Sequence, residues 1–114
     1  MTQLWEESQR RRHQRIALEV EVLVVINGAM LPGRTQDISE SGMAAIFPVE
    51  LHEGAEVELQ IKLPAGTQTV RAIVRNHNVY RHDFEFAQPL IDIFRKDAAT
   101  GDLYLEQGNR ELQK

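Results

Sequence analysis

The sequence contains no cysteine among its 114 residues. Disulfide bonds and thiolate metal sites are therefore excluded. It also has no apolar run approaching the roughly 20 residues that a membrane-spanning helix requires. Residues 1–15 are polar and charged, unlike the apolar centre of a secretory signal peptide. These absences predict a cytoplasmic protein without membrane insertion, and its length predicts one domain.

Charge is unevenly distributed along the chain, although the net charge is only −4. Residues 1–15 hold four arginines against two glutamates, whereas the remainder holds nine basic and fifteen acidic residues. An acidic body is a poor platform for a nucleic-acid polymer, whose binding needs many distributed phosphate contacts. A basic segment on an acidic body suits a small anionic ligand. A solvated tail held near the body by charge is the open alternative.

Apolar and polar residues alternate through most of the chain, which is the pattern of half-buried strands. Asn27-Gly28 suits a tight turn between the first two strands, and the second strand is expected to be interrupted near Pro32-Gly33. Short strands separated by turns predict an antiparallel barrel or sandwich. The six predicted strands cover residues 16–26, 29–38, 42–47, 56–63, 70–75 and 80–86.

A change of pattern follows the last predicted strand. Apolar residues between Leu90 and Phe94 have helical spacing, Pro89 suits a first helical turn, and Gly101 suits a helix end. Residues 103–112 are expected to form a second amphipathic piece. The sequence thus predicts a flexible arginine-rich segment over residues 1–14, then a single domain over 15–114 with a helical C-terminal segment.

Two short motifs carry the recognisable chemistry. One is the basic run from Arg10 to Arg15, directly before the first strand, and the other is Asp37-Ile38-Ser39-Glu40-Ser41-Gly42. Guanidinium groups bind phosphate oxygens bidentately and stack on bases. A carboxylate accepts the two N–H donors of a guanine edge, Ser39 adds a hydroxyl, and glycine permits close backbone approach. Together the motifs suit an anionic guanine nucleotide.

Each motif also has an ordinary interpretation when it stands alone. An arginine cluster before a strand is commonly solvated. Asp37 and Ser39 are residue types that satisfy backbone amides in turns. Neither motif is specific without the other.

Taken together, in this order and on this scaffold, the motifs resemble those of the PilZ domain family. Members carry Arg-x-x-x-Arg before the first strand, matched by Arg11 and Arg15, and Asp/Asn-x-Ser-x-x-Gly after the second, matched by Asp37, Ser39 and Gly42. The resemblance covers residues 8–100. It implies a split, six-stranded antiparallel β-barrel with a C-terminal α-helix, and cyclic di-GMP as the ligand.

The resemblance also implies roles for individual residues. Arg11 and Arg15 would grip phosphate and guanine, while Asp37 and Ser39 would face guanine and Gly42 would allow close approach. Arg10 and Arg12 flank the motif and would add contacts. One departure is Asp83, where many members have glycine. A carboxylate there could repel phosphate, but Asp83 shares its side of the strand with Arg81 and Glu85, which predicts that it faces solvent.

The expected function is a cyclic di-GMP receptor that changes conformation on binding and signals to a downstream protein partner. The alternative is a constitutive protein-interaction module of the same fold that binds no nucleotide. Enzymatic activity is not expected, because no nucleophile elbow or Walker-type loop is present. No cofactor or metal is expected either, since the four histidines lack metal-ligand spacing.

Overall fold

The computed structural model describes residues 14–106, which form nine β-strands. Six of these strands close into an antiparallel ring in the order β3-β2-β5-β6-β7-β4, with β4 returning to β3. The short strand β1 adds to β3, and β8 and β9 form a separate hairpin. The strands are β1 (Ile16–Ala17), β2 (Glu21–Ile26), β3 (Ala29–Ile38), β4 (Gly42–Ile46), β5 (Glu56–Leu63), β6 (Gly66–Asn78), β7 (Arg81–Phe86), β8 (Phe94–Lys96) and β9 (Leu103–Leu105).

The inward-facing side chains of the ring form one apolar core. Buried residues alternate along β5 and β7, as the sequence pattern predicted, because successive side chains of a strand lie on opposite faces. Val22, Val24, Leu59 and Ile61 are fully buried where β2 and β5 pair. Phe84 and Phe86 of β7 are also buried. The predicted antiparallel barrel is thereby confirmed.

The turn between β2 and β3 follows from two residues that tolerate positive φ. Asn27 and Gly28 have φ values of 52° and 83°. Both central residues of a type I′ hairpin turn need such values, and this turn matches the twist of the paired strands. It sets the register in which Ile26 pairs with Ala29 and Glu21 pairs with Arg34.

Two sequence predictions about the early strands are wrong. The second strand, β3, runs through Pro32-Gly33 without interruption. At Pro32, β3 pairs with β2 on one side, and β4 pairs with its other side only from Arg34 onwards. Proline lacks a backbone N–H, and at such an edge position no hydrogen bond between strands is lost. The predicted first strand is instead divided into β1 and β2, with residues 18–20 between them.

Thr35 bridges the break between β1 and β2. Its buried hydroxyl accepts a hydrogen bond from Val20 N–H at 2.9 Å and donates to the Leu18 carbonyl at 2.6 Å. The register of β3 against β4 shifts between Thr35 and Asp37, so Gln36 is the extra residue of a β-bulge. The chain can therefore leave β2 and pair β1 with the far end of β3.

The predicted C-terminal helix is wrong for the residues that the structure describes. Of the apolar residues in the predicted helix, Leu90, Ile93 and Phe94 are buried, whereas Ile91 is 59% exposed. Leu90 N–H, however, donates to the Glu40 carbonyl, and Glu106 N–H donates to the Ile93 carbonyl, both at 2.8 Å. These bonds to distant segments replace helical ones.

A turn at Asp97 reverses the chain where the helix was predicted to continue. Asp97 Oδ1 accepts a hydrogen bond from Ala99 N–H at 2.8 Å, and Gly101 has a φ of 79°. The chain therefore reverses into the β8–β9 hairpin, in which Phe94 pairs with Leu105. The second predicted piece begins as β9, and its remainder lies beyond residue 106, outside the described residues.

His82 is a polar side chain enclosed by the barrel. It is fully buried beside Phe47 and Phe84, and its Nε2 accepts the Leu51 N–H at 2.9 Å. Burial lowers the pKa of His82 below the ordinary 6.5, and the neighbouring His77, stacked on it at 5.8 Å, lowers it further. The imidazole is therefore neutral in the folded protein near neutral pH.

We expect Thr35→Val to destabilise the barrel by about 1–3 kcal/mol, because it leaves Val20 N–H and the Leu18 carbonyl without their partner while conserving shape. Urea unfolding measures this free energy. The matched control is Thr69→Val, since Thr69 is exposed on β6, and it should change stability by less than about 0.5 kcal/mol. Equal effects of the two substitutions would refute the bridging role.

Stability should also fall as pH drops below about 6.5. A histidine whose folded-state pKa is lowered binds fewer protons in the native than in the unfolded state, so its contribution is complete above 6.5 and is lost below. The limiting slope for one such group is about 1.4 kcal/mol per pH unit. Urea unfolding between pH 7.5 and 5.5 measures it.

His82→Gln should flatten this dependence, because the amide oxygen can accept the Leu51 N–H without titrating. His52→Gln, at an exposed histidine, should leave the slope unchanged. If His82→Gln keeps the wild-type slope, another group is responsible.

Candidate functional site

The structure brings one residue of each sequence motif into direct contact. Ala17 of β1 pairs with Asp37 of β3, so Arg15, two residues earlier, lies over the same end of β3. Arg15 Nη1 donates to Asp37 Oδ1 in an ion pair. The Arg15 side chain is 51% exposed and that of Asp37 is 27% exposed. Both groups are therefore accessible from solvent.

Ser39 has a local role in the turn that follows. It is 2% exposed, and its Oγ accepts hydrogen bonds from Ser41 N–H and Gly42 N–H, both at 3.2 Å. Ser39 N–H donates to the Gly42 carbonyl at 2.8 Å. This hydroxyl fixes the turn from β3 to β4, in the manner of a serine turn. Its expected contact with guanine remains a prediction.

Gly42 is required by the packing of β4 on β7. Its φ is not positive, but a Cβ atom at this position would lie 2.3 Å from the Phe84 carbonyl oxygen. Any side chain would push β4 away from β7 and open the ring. The motif glycine therefore allows close approach of strand to strand, and its approach to a ligand remains a prediction.

Arg10, Arg11 and Arg12 lie outside the described residues, as does most of the predicted flexible segment 1–14. The structure describes only Gln14 of that segment. The expected contacts of the three arginines to a ligand remain predictions.

The face that carries Asp37 extends across two further strands. Ala44 of β4 pairs with Asp37 on one side and with Asp83 of β7 on the other. Paired residues of an antiparallel sheet project to the same face, so the two carboxylates flank Ala44 on the outside of the barrel. Asp83 thus faces outwards, as its neighbours on β7 indicated. We call the residues Asp37, Ala44 and Asp83 the central row.

Arg81 completes this face, and the sequence analysis did not assign it to the site. Its Nη1 donates to Asp83 Oδ1 at 3.0 Å and its Nε donates to Gln36 Oε1 at 2.8 Å. Gln36 reaches it from the bulge in β3. The strand pattern placed Arg81 and Asp83 on one side of β7, but no local signal linked them to Asp37, which is 46 residues before Asp83.

An open cleft of about 590 Å³ adjoins the same face beyond Gln36. Arg34, Ile46 and Tyr80 contribute to its lining. Ile46 and Tyr80 are 43% and 51% exposed, and Val79 beside them is 56% exposed. Such clustered apolar exposure is common where another molecule binds.

The chemistry available on this face is recognition. Carboxylates accept N–H donors and arginines bind anions. Ala44 between them is fully buried, so the exposed groups of the row are the two carboxylates and their arginines. Among residues 14–106, no group of three or more histidine, aspartate or glutamate side chains could hold a metal ion. In the same range, no helix is long and apolar enough to cross a membrane.

A family model for the PilZ domain matches residues 9–96, most of the chain. The chain belongs to the PilZ domain family. PilZ domains are regulatory receptor or adaptor domains. The match includes both sequence motifs and all the barrel strands.

Solved structures support the same fold. The PilZ domain with c-di-GMP of YcgR from Escherichia coli is similar with a TM-score of 0.62 at 22% identity, over 69% of this chain and 79% of that one. The Bacillus subtilis inhibitor of motility (MotI/DgrA) is similar with a TM-score of 0.62 at 21% identity, over 74% of this chain and 46% of that one. No curated protein matches the sequence.

Proposed function

We propose that this PilZ domain is a receptor for cyclic di-GMP that signals to a protein partner. The observation that carries the proposal is the Arg15–Asp37 ion pair, which joins the two motifs on an open outer face. The family match and the similar YcgR domain, whose structure contains c-di-GMP, support the choice of ligand. The likeness to an inhibitor of motility supports a role in motility control.

Binding would exchange the partners of this ion pair. An ion pair between exposed side chains contributes about 0–1 kcal/mol, so separating Arg15 from Asp37 costs little. Hydrogen bonds to charged groups contribute about 1.5–3 kcal/mol each. Arg15 would then bind a ligand phosphate, while Asp37 would accept the N1–H and N2–H donors of guanine. Arg11 would supply the second guanidinium.

The ligand would thereby order the arginine-rich segment. Residues 1–14 carry Arg10, Arg11 and Arg12 close together, and like charges repel. Ligand phosphates cancel this repulsion and hold the segment against β3. A segment ordered by ligand presents a new surface to a partner, and this is the proposed signal.

A constitutive interaction module is the second candidate. The exposed apolar side chains of Ile46, Val79 and Tyr80 favour it, because they offer a protein-binding surface without any ligand. The two candidates differ in whether cyclic di-GMP binds, which calorimetry decides.

Isothermal titration should show that the protein binds cyclic di-GMP, with linear GMP binding far more weakly. Arg15→Ala should weaken binding of cyclic di-GMP about ten- to a hundred-fold, because it removes a charge-assisted, bidentate contact. Arg15→Lys should restore little, since the ammonium group lacks the planar fork.

The matched control is Arg95→Ala. Arg95 is 48% exposed and pairs with Glu106 on the β8–β9 hairpin, so the substitution removes a similar arginine away from the site and should leave the affinity unchanged. Absence of binding by the wild-type protein would contradict the receptor proposal and favour the constitutive module. Equal affinities of wild type and Arg15→Ala would show that Arg15 is not part of the site.

A further inference from the structure

The outer face carries two arginine–aspartate pairs, one on each side of Ala44. Arg15 pairs with Asp37 on one side of Ala44, and Arg81 pairs with Asp83 on the other. The arginine side chains are 51% and 45% exposed, and those of the aspartates are 27% and 29% exposed. The two pairs therefore have equal chemistry and nearly equal access to solvent.

Their spacing is set by the sheet. Asp37 and Asp83 each lie one strand away from Ala44. Neighbouring strands are about 4.8 Å apart, so the two aspartates are separated by roughly 10 Å between Cα atoms. Ala44, which separates them, is a small and fully buried residue, so no large side chain of the central row divides the two pairs. One compact ligand can reach both pairs at once.

Cyclic di-GMP is a two-fold ligand, since it contains two guanines and two phosphates. In the proposed complex, the Arg15–Asp37 pair binds one guanine and one phosphate. We infer that Asp83 and Arg81 form a second half-site, in which Asp83 accepts the Watson–Crick N–H donors of the second guanine and Arg81 contacts phosphate. This inference rests on the proposed function, because it assigns the other half of the same ligand.

The arrangement also removes the objection that Asp83 repels the ligand. Arg81 neutralises Asp83 at 3.0 Å in the free protein. Gln36 holds the guanidinium of Arg81 at 2.8 Å, so Arg81 stays beside the central row when Asp83 turns to guanine. A carboxylate with a retained cation adds no net charge to the face.

The Arg75–Glu85 pair does not share this arrangement. Glu85 pairs with Gly42 and Ile73, so it lies beyond the central row and has no counterpart across β4. The second half-site is therefore confined to Asp83 and Arg81.

The test is calorimetry with cyclic di-GMP and cyclic di-AMP on wild type, Asp83→Asn and Arg81→Gln. We expect each substitution to weaken cyclic di-GMP binding at least tenfold. Asp83→Asn should in addition reduce the preference for cyclic di-GMP over cyclic di-AMP, because adenine lacks the N1–H and N2–H donors that a carboxylate accepts. A merely structural role of Asp83 would not alter that preference.

Glu56→Gln is the matched control. Glu56 pairs with Arg71 on the opposite wall of the ring, so the substitution makes the same chemical change outside the site. It should leave both affinities unchanged, and thermal melting should show all variants folded.

The outcomes separate the two proposals. If wild type binds cyclic di-GMP and Asp83→Asn binds it equally well or more tightly, the second half-site is wrong and the receptor proposal stands. If wild type binds no cyclic di-GMP, both fall. Weakened binding with unchanged preference would assign Asp83 to holding Arg81 and would overturn its contact with guanine.

Discussion

The pairing of β1 with the far end of β3 is the constraint on which the site depends. Ala17 can lie opposite Asp37 only because the chain leaves the β2 register at residues 18–20. Thr35 satisfies the backbone groups exposed by that break, and the bulge at Gln36 turns the end of β3. The same bulge brings Gln36 to Arg81. One local irregularity thus positions both sides of the outer face.

Most of the barrel strands could be predicted from the alternation of apolar and polar residues, because strand burial and tight turns depend on neighbouring residues in the sequence. The hairpin at Asn27-Gly28 needs positive φ values that these two residues tolerate, and alternation over β5 and β7 matches one buried face. The prediction of a C-terminal helix was wrong because the spacing of apolar residues does not reveal hydrogen-bond partners in distant segments. Leu90 and Glu106 bond to backbone groups of other segments, and such bonds cannot be read from a window of sequence.

The site was only partly predictable for the same reason. The motifs that resembled those of the PilZ family identified Asp37 and Arg15, which the structure places in contact. In the structure, Ser39 holds the turn and Gly42 permits the β4–β7 contact, while their contacts with a ligand stay predictions. Arg81 and Gln36 were missed, because their contact joins positions 45 residues apart and depends on a bulge.

Ion pairs that exchange partners are a suitable device for a receptor of a charged nucleotide. Arg15 and Arg81 each pair with an aspartate on this face, and in the proposed complex each arginine would offset the repulsion between its aspartate and phosphate. Both pairs are exposed enough to separate at small cost. In the proposed receptor, ligand recognition would require no rearrangement of the barrel strands and would involve side chains and the arginine-rich segment before β1.

Chemical-shift mapping by NMR on the ¹⁵N-labelled protein, titrated with cyclic di-GMP, tests the location of the site most directly. The amide signals of Ala17, Asp37, Ala44 and Asp83 should shift in parallel with saturation, because all four lie along one row of paired strands. Those of Val57 to Ile61 on the opposite wall should remain unchanged. Shifts confined to that wall or to the β8–β9 hairpin, with none on the central row, would contradict a ligand site on this face.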